Sequence, residues 1–216
     1  MHFSDIVPSL PFILEGVQVT LKFTILSLFC GLPLGIGVAL SKLSNSSILR
    51  AIATTYVAVF RGTPLLVQLA LIYFATPQLI GYSISAFEAG VIAFSLNSAA
   101  YTSEIIRAGI EAIDEGQLDA AKVLGIPRRQ ALFKIIFPQA VRNILPALVN
   151  EMINLLKESA LVSIIGETDL LRRAQIVASE KFLYFEPLLV AASLYFLMVM
   201  VISFFAAKLE KKLAYA

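Results

Sequence analysis

Three uncharged apolar runs stand out along the chain, at residues 23–41, 62–87 and 187–207. A helix crossing the hydrocarbon core of a bilayer needs about 20 predominantly apolar residues, and these runs meet or nearly meet that length. Each predicts a membrane-spanning helix. Residues 89–103 are fewer, yet they follow a Gly81-Tyr82-Ser83 turn and can extend past Glu104 towards Arg107, giving another span that carries a carboxylate into the bilayer. Residues 143–165 are long enough to cross but contain Glu151, Lys157 and Glu158, so hydropathy alone leaves them open.

The basic residues resolve that ambiguity. Lysines and arginines gather at 42, 50 and 61, at 107, 122, 128, 129, 134 and 142, and at 208, 211 and 212. Basic loops stay cytoplasmic, so all three clusters are expected on that side. Between the second and third clusters the chain must then cross an even number of times, which makes 143–165 a span if 187–207 is one. The expectation is an all-α membrane protein of five transmembrane helices, with the N-terminus outside and the C-terminus cytoplasmic. Arg172, Arg173 and Lys181 fall in the external loop, against the rule, but twelve basic residues lie inside against these three.

Composition agrees with the bilayer as solvent: 58% of residues are hydrophobic, 15% charged, and the mean hydropathy is +0.84. A net charge of +2 does not suggest nucleic-acid binding. Cys30 is the sole cysteine, which excludes an intrachain disulfide and a thiolate-rich metal site; no metal site is expected. The N-terminal Met1-His2-Phe3-Ser4-Asp5 lacks the basic region of a cleaved signal peptide, so the first apolar segment is expected to remain as a span. With no internal repeat or soluble-domain linker, residues 1–216 are treated as a single membrane domain.

Residues 110–142 are polar enough to leave the bilayer but keep a helical apolar period, with Leu118, Ala121 and Leu124 on one side. Gly125 is placed as a C-cap, Pro127 at the first turn of a second short helix, and Pro138 as its end. A helix-turn-helix tied at both ends to membrane helices is built to press on a cytosolic partner and relay a displacement. The small Ala120-Ala121 surface admits close approach, and flanking apolar residues can enter a groove. An amphipathic hairpin lying on lipid headgroups is the other reading of the same pattern.

Asp119-Ala120-Ala121-x-x-x-Gly125, followed by Ile135-x-Phe137-Pro138, resembles the cytoplasmic loop signature of ATP-binding-cassette importer permeases, with Asp for Glu and Phe for Leu. Arg61-Gly62-Thr63-Pro64-Leu65-Leu66-Val67-Gln68, Ala100-Tyr101-x-x-Glu104-Ile105-x-Arg107-Ala108-Gly109-Ile110, Gly116-Gln117 and Pro138-Gln139-Ala140-x-Arg142-x-x-Leu145-Pro146 are similar to the polar amino-acid branch of that family. The resemblance implies the type I importer permease fold in a bacterial inner membrane. It also implies that Asp119, Ala120, Ala121, Leu124 and Gly125 form a coupling element seated on an ATPase subunit. Two such ATPase subunits, a second membrane subunit, expected to be identical, and an extracellular solute-binding protein complete the implied assembly. The chain has no Gly-x-x-x-x-Gly-Lys-Ser/Thr phosphate loop, so no cofactor is expected here; ATP and magnesium belong to the partner.

An ionisable side chain near the bilayer centre costs roughly 2.5–3.5 kcal/mol on insertion scales and normally faces protein or water. Asn97, Tyr101 and Glu104 are spaced to share one helix face. Asn150, Asn154, Lys157 and Leu161 share another, with Glu151 and Glu158 at its edge. Two polar stripes of opposite charge could line a cavity. An amino acid's α-ammonium would meet Glu104, and its α-carboxylate Lys157 or amides near Ser159. The other reading is that these charges pair with each other to hold helices together. The carboxylates at 104, 151 and 158 tilt the expected cargo towards arginine, lysine or histidine.

Other residues are given structural roles. Lys22 is expected to snorkel at the outer face, and Pro33, Pro64 and Pro77 to kink or end helices. Arg61 and Arg107 are placed as anchors at the inner interface, and Gly31, Gly35 and Gly37 as points of close helix approach. A membrane enzyme is disfavoured, because His2 is the sole histidine and no nucleophile sits beside a recognisable base. An ion-coupled transporter or passive channel fits the intramembrane charges, but leaves the long cytoplasmic loop without a purpose.

Overall fold

In the computed structural model, which describes residues 3–114 and 116–214 and side chains as far as Lys211, every regular element among the described residues is helical. Helix α1 (Leu10–Lys42) follows two short helical turns, Phe3–Ile6 and Val7–Ser9. It begins well before the expected residue 23, because Ile13, Gly16 and Thr20 are buried against a later helix. Glu15, one of the charges that hides these turns from a hydropathy reading, is paired with Arg173 at 2.7 Å.

The expected second span, 62–87, contains the single helix α3 (Leu65–Ile80) and is preceded by a helix the run did not include, α2 (Ser47–Gly62), which meets α3 at a bend of 100°. Pro64 has no N–H to complete the helical ladder, so the break falls there. Helix α2 is amphipathic and carries Arg50 and Arg61, which hid it from a search for uncharged runs. Gly81, at φ +70°, takes the left-handed conformation that ends α3. A reciprocal capping box between Ser85 and Glu88 then starts α4 (Ala86–Glu111), which extends past Glu104 as expected and continues beyond Arg107.

Helix α4 lies at the centre of the protein. Phe94 packs edge-on against Phe23 of α1 with ring centroids 4.8 Å apart, among Leu69, Leu155 and Val162 from three further segments. Beyond the aromatics the α1–α4 seam is made of small residues. Ser27, Gly31, Gly35 and Ala39 are all buried at four-residue spacing. A Cβ at Gly35 would come within 2.8 Å of the Thr102 side chain, and one at Gly31 within 3.1 Å of Ser95 O. Such close approach replaces the hydrophobic drive that lipid does not provide. Gly37, expected beside them, has open space around its Cα and takes no part.

Helix α5 (Gly116–Val123) is followed by a helical turn, Arg128–Ala131, and a π-turn, Leu132–Ile136. These run directly into α6 (Phe137–Glu158) and a 3-10 extension, Ser159–Ile165. Pro138 therefore does not end a second short helix. The π-turn precedes it, with Phe137 N–H bonding to Leu132 O, so the wider turn absorbs the proline without stopping the chain. The expected external loop contains another helix, α7 (Leu170–Lys181). Its N-cap Asp169 is fully buried and accepts from Arg172 N at 2.9 Å and from Tyr195 Oη at 3.1 Å. Leu170 N donates to Thr20 Oγ1 of α1, and a Cβ on Gly16 would meet Leu170 Cα at 2.6 Å. Helix α8 (Phe185–Ala214) closes the chain against α7 through Ala174, Val177 and Ala191.

Three described helical runs are long and apolar enough to cross a membrane: Phe3–Lys42, Arg128–Ile165 and Phe185–Lys211. The bent pair α2–α3 makes a fourth if its halves count as one span. Helix α4 has the length, but its polar positions face other helices.

The seam generates a paired prediction. Gly35→Ala is expected to destabilise the protein by about 1–3 kcal/mol through overpacking, whereas Gly37→Ala is neutral or slightly stabilising. Thermal unfolding of the detergent-solubilised variants measures both; equal behaviour would contradict the seam.

Candidate functional site

The break after α2 creates a backbone problem. In an unbroken helix Phe60 O would accept from the N–H of residue 64, and Pro64 has none. Two side-chain amides replace it: Gln68 Nε2 donates to Phe60 O at 2.9 Å, and Asn97 Nδ2 donates to the same oxygen at 3.2 Å. Gln68 Nε2 also reaches Thr63 O and Oγ1, and Asn97 Nδ2 reaches Gln68 Oε1 at 3.1 Å. Asn97, expected to face substrate, is thus 5% exposed and committed to bracing the break. Gln68 was not singled out from the sequence. Its signal was the position of an amide four residues after a proline within Arg61-Gly62-Thr63-Pro64.

One turn along α4, Tyr101 lies beneath the Arg61 guanidinium, which sits 5.1 Å from its ring centroid. Glu104 follows and collects cations from three helices: Lys42 of α1, Arg107 of α4 at 2.9 Å, and Arg61 of α2 at 3.9 Å. Asn97, Tyr101 and Glu104 do share a face, and that face meets the C-terminal end of α2. Arg107 also pairs with Glu111. Arg61 lies in the last turn of α2, a helix end as expected, close to the ends of α1 and α4 that carry Lys42 and Arg107, and its side chain remains 45% exposed.

Arg61, Tyr101, Glu104, Ile105 and Gly109 line a cavity of about 400 Å³ together with Asn143 and Ala147 of α6. From there a polar stripe climbs α6. Asn143, Asn150, Asn154, Lys157 and Glu158 are exposed, at spacings that put them on one side of the helix. The stripe ends at Leu161, half-buried against the aromatic core, and at Ser159, which is buried and donates to Leu156 O at 2.7 Å. Glu151, on the inward side, is buried beside Ser98 of α4, whose hydroxyl lacks a well-formed hydrogen bond.

The structure does not bring Glu104 and Lys157 together. Helices α4 and α6 are antiparallel, with Asn143 bonded to Gly109 O and Glu151 beside Ser98. At about 1.5 Å rise per residue, Lys157 stands roughly 15 Å along the axis from Glu104. The two charged groups of one amino acid share a carbon atom and cannot span that gap. Neither do these residues pair with one another: Glu104 takes its partners from Lys42, Arg61 and Arg107.

The cytoplasmic-loop candidates form a compact element. Gly125, at φ +72°, closes α5 with the paired bonds Ile126 N to Ala121 O and Gly125 N to Lys122 O. Ala121 is 2% exposed, packed at the junction where Ala131 is equally buried, so it is not part of the outward surface. Asp119, Ala120, Leu124 and Gly125 are exposed. Val123 and Leu124 project furthest, at 87% and 75% exposure, and form an apolar tip.

Comparison with known proteins connects these parts. Residues 31–215 match the family model described as "Binding-protein-dependent transport system inner membrane component". The chain is 53% identical over 206 residues to a putative glutamine transport system permease protein of Rickettsia conorii, covering 95% of this chain and 94% of the relative. It is 48% identical over 213 residues to the arginine transport system permease protein of Bacillus subtilis, covering 99% and 97%. A crystal structure of an amino acid ABC transporter with histidines superposes with a TM-score of 0.92 at 45% identity, over 98% of this chain and 99% of that one. The MetNI methionine transporter shares the fold, with a TM-score of 0.76 at 21% identity. The fold as a whole therefore belongs to a known architecture. This chain is a member of the binding-protein-dependent transport system inner membrane components, an amino-acid permease subunit of an ATP-binding-cassette importer.

Proposed function

We propose that the chain forms the translocation pathway for a basic amino acid, arginine, lysine or histidine, by alternating access coupled to a separate ATPase subunit. The observation that carries the pathway is the polar stripe on α6. Asn143, Asn150, Asn154, Lys157 and Glu158 cannot face lipid without heavy cost, so they require water or a partner chain. Asn154, Lys157, Glu158, Tyr101 and Glu104 are the residues proposed to meet the cargo along this face. Asn97, Ser159 and Leu161 support it from behind, given their burial and internal bonds.

The proposed topology has five spans: α1, the bent pair α2–α3, α4, α6 and α8. The N-terminus is outside and the C-terminus cytoplasmic, which puts the element around α5 in the cytosol. Arg173, which this arrangement places outside, is neutralised by Glu15 and stacked 4.6 Å from the Phe12 ring centroid. In the assembly we propose, an identical second membrane subunit covers the stripe. Two ATPase subunits hold ATP and magnesium, and an external solute-binding protein delivers the amino acid. ATP binding draws the two cytoplasmic elements together and opens the cavity outwards; hydrolysis reverses the movement.

Glutamine is the second reading of the cargo. It is favoured by Glu104 being already neutralised by Lys42 and Arg107, which removes one of the carboxylates that pointed to a cationic side chain. Reconstituting the permease with its ATPase and binding protein, and measuring ATP hydrolysis with each amino acid, separates the two. Arginine, lysine or histidine is expected to stimulate hydrolysis; stimulation by glutamine alone would reject the basic class.

The exposed tip of the α5 element gives a further test. Leu124→Asp is expected to abolish co-purification of the ATPase subunit and lower uptake at least tenfold, because a carboxylate would replace an apolar contact. Ala121→Leu is expected to act by loosening the hairpin instead, seen as faster proteolysis around Gly125. An ATPase subunit that remains bound and coupled to the Leu124→Asp permease would remove this surface from the docking role.

A further inference from the structure

Helix α2 has three faces of different character. Ala53 and Val57 are buried, Tyr56 and Phe60 are half-buried beside them, and Tyr56 Oη donates to Leu96 O, so this stripe rests on α4. Ile48, Ile52, Thr55 and Val59 follow one another at four, three and four residues along one flank. Ser47, Arg50, Thr54, Ala58 and Arg61 follow at three, four, four and three along the other. At about 100° per residue the three stripes divide the circumference of the helix into thirds.

Both flanks are open. Ile48 and Ile52 are 71% and 64% exposed, and Arg50 is exposed with no ion pair among the described residues. No single solvent suits the two. Hydrocarbon would strand the arginine flank and water the branched apolar one, so each finds its medium only where the helix lies along the boundary between them. The chain sets α2 at such a level. It starts four residues after α1 ends, and its last turn brings Arg61 to the cluster in which Glu104 gathers Lys42 of α1 and Arg107 of α4. In the proposed topology these are the cytoplasmic ends of α1 and α4. The bend of 100° at Pro64 then turns the chain into α3, and the amides of Gln68 and Asn97 hold the turn.

We infer that α2 lies along the inner surface of the bilayer and binds it, with Ile48, Ile52 and Val59 among the acyl chains and Arg50 on the phosphates of anionic phospholipids. Charge selects that lipid class. The polar flank carries two arginines, and the sequence has no carboxylate anywhere between Glu15 and Glu88 to satisfy them locally. A basic segment beside a membrane helix is drawn to an anionic leaflet, and the planar guanidinium donors of Arg50 match a phosphate. Within the bent pair, crossing then falls to α3, and α2 is the anchor from which it turns into the membrane.

This assignment rests on the proposed topology, and the test separates the two. The complex of permease and ATPase subunits, with Cys30→Ala as background, is reconstituted into vesicles of phosphatidylethanolamine and phosphatidylglycerol. Spin labels on Ile52→Cys and Thr54→Cys report collisions with oxygen, which concentrates in hydrocarbon, and with a water-soluble nickel chelate. The label at 52 is expected to favour oxygen and the label at 54 the chelate. Both favouring the chelate would put α2 in water, both favouring oxygen would put it in hydrocarbon, and neither colliding with either reagent would put a protein over it; each outcome overturns the assignment. A fluorophore on Thr54→Cys then reads the lipid. Spin-labelled phosphatidylglycerol is expected to quench it more than spin-labelled phosphatidylcholine by about twofold or more. Arg50→Gln is expected to bring that ratio close to one and Arg50→Lys to preserve a preference; a ratio that Arg50→Gln leaves unchanged would remove Arg50 from the headgroups. Because the ratio is taken within each preparation, the yield of folded complex does not alter it. Hydrolysis of ATP added outside marks vesicles with the ATPase outward, and chelate added outside is expected to reach the label at 54 in these. A label reached only from the opposite side would overturn the topology and the inner-leaflet placement together, whereas a failed pattern on the ATPase side would overturn the placement alone.

Discussion

Pro64 has no N–H to give to the Phe60 carbonyl, and in a membrane protein that oxygen cannot turn to water. The local arrangement follows from this constraint. The helix divides into α2 and α3 at 100°, and the amides of Gln68 and Asn97 converge on the freed carbonyls. Converging there, they join three helical segments at one point. They also hold the end of α2 against α4, so that Arg61 reaches across Tyr101 to the Glu104 cluster. Irregular backbone persists where its freed carbonyls find other donors, and here two side-chain amides provide them.

Such a node needs a rigid wall behind it, and α4 provides one by being unlike a lipid-facing helix. Its buried face is built from Ala89, Gly90, Ala93, Ser95, Ser98, Ala99 and Thr102, small enough for α1 to approach through Gly31 and Gly35. Because this helix is enclosed by the others, it does not need the apolar surface that identifies the spans around it. The same enclosure accounts for its buried serines and threonines, three of which, counting Ser27 of α1, are without a hydrogen-bond partner among the described residues.

Charge follows a similar logic of internal compensation. Glu104, which would be costly alone, is held by Lys42 and Arg107 and thereby ties the end of α1 to that of α4. At the opposite end Arg173 is held by Glu15 and Phe12, binding α7 to α1. These pairs lock the two ends of the central helices. Between them lies the α6 stripe, where Asn150, Asn154 and Lys157 are left exposed in a single chain. The locked ends and the open middle fit a subunit whose pathway is completed by another chain.

Much of this was legible in the sequence, because hydropathy, proline and glycine act locally. The apolar runs announced α1 and α8, Gly125 announced the cap of α5, and the loop signature announced the family, since each depends on neighbours a few residues away. The extent of α1 was not legible, because Glu15 reads as a helix breaker in lipid until Arg173 is brought to it from the other end of the chain. Helix α2 was missed because Arg50 and Arg61 exclude it from an uncharged run, and its bend against α3 leaves no mark in hydropathy. Pro138 read as a stop because a π-turn leaves no compositional mark. The roles of charges were decided only by the tertiary structure. Asn97, Glu104 and Lys157 were identified correctly as polar groups inside a membrane protein, but which of them pair, which brace backbone and which stay open depends on atoms distant in sequence. Electrostatic and hydrogen-bonding energies are set by distance in space, and only folding establishes those distances.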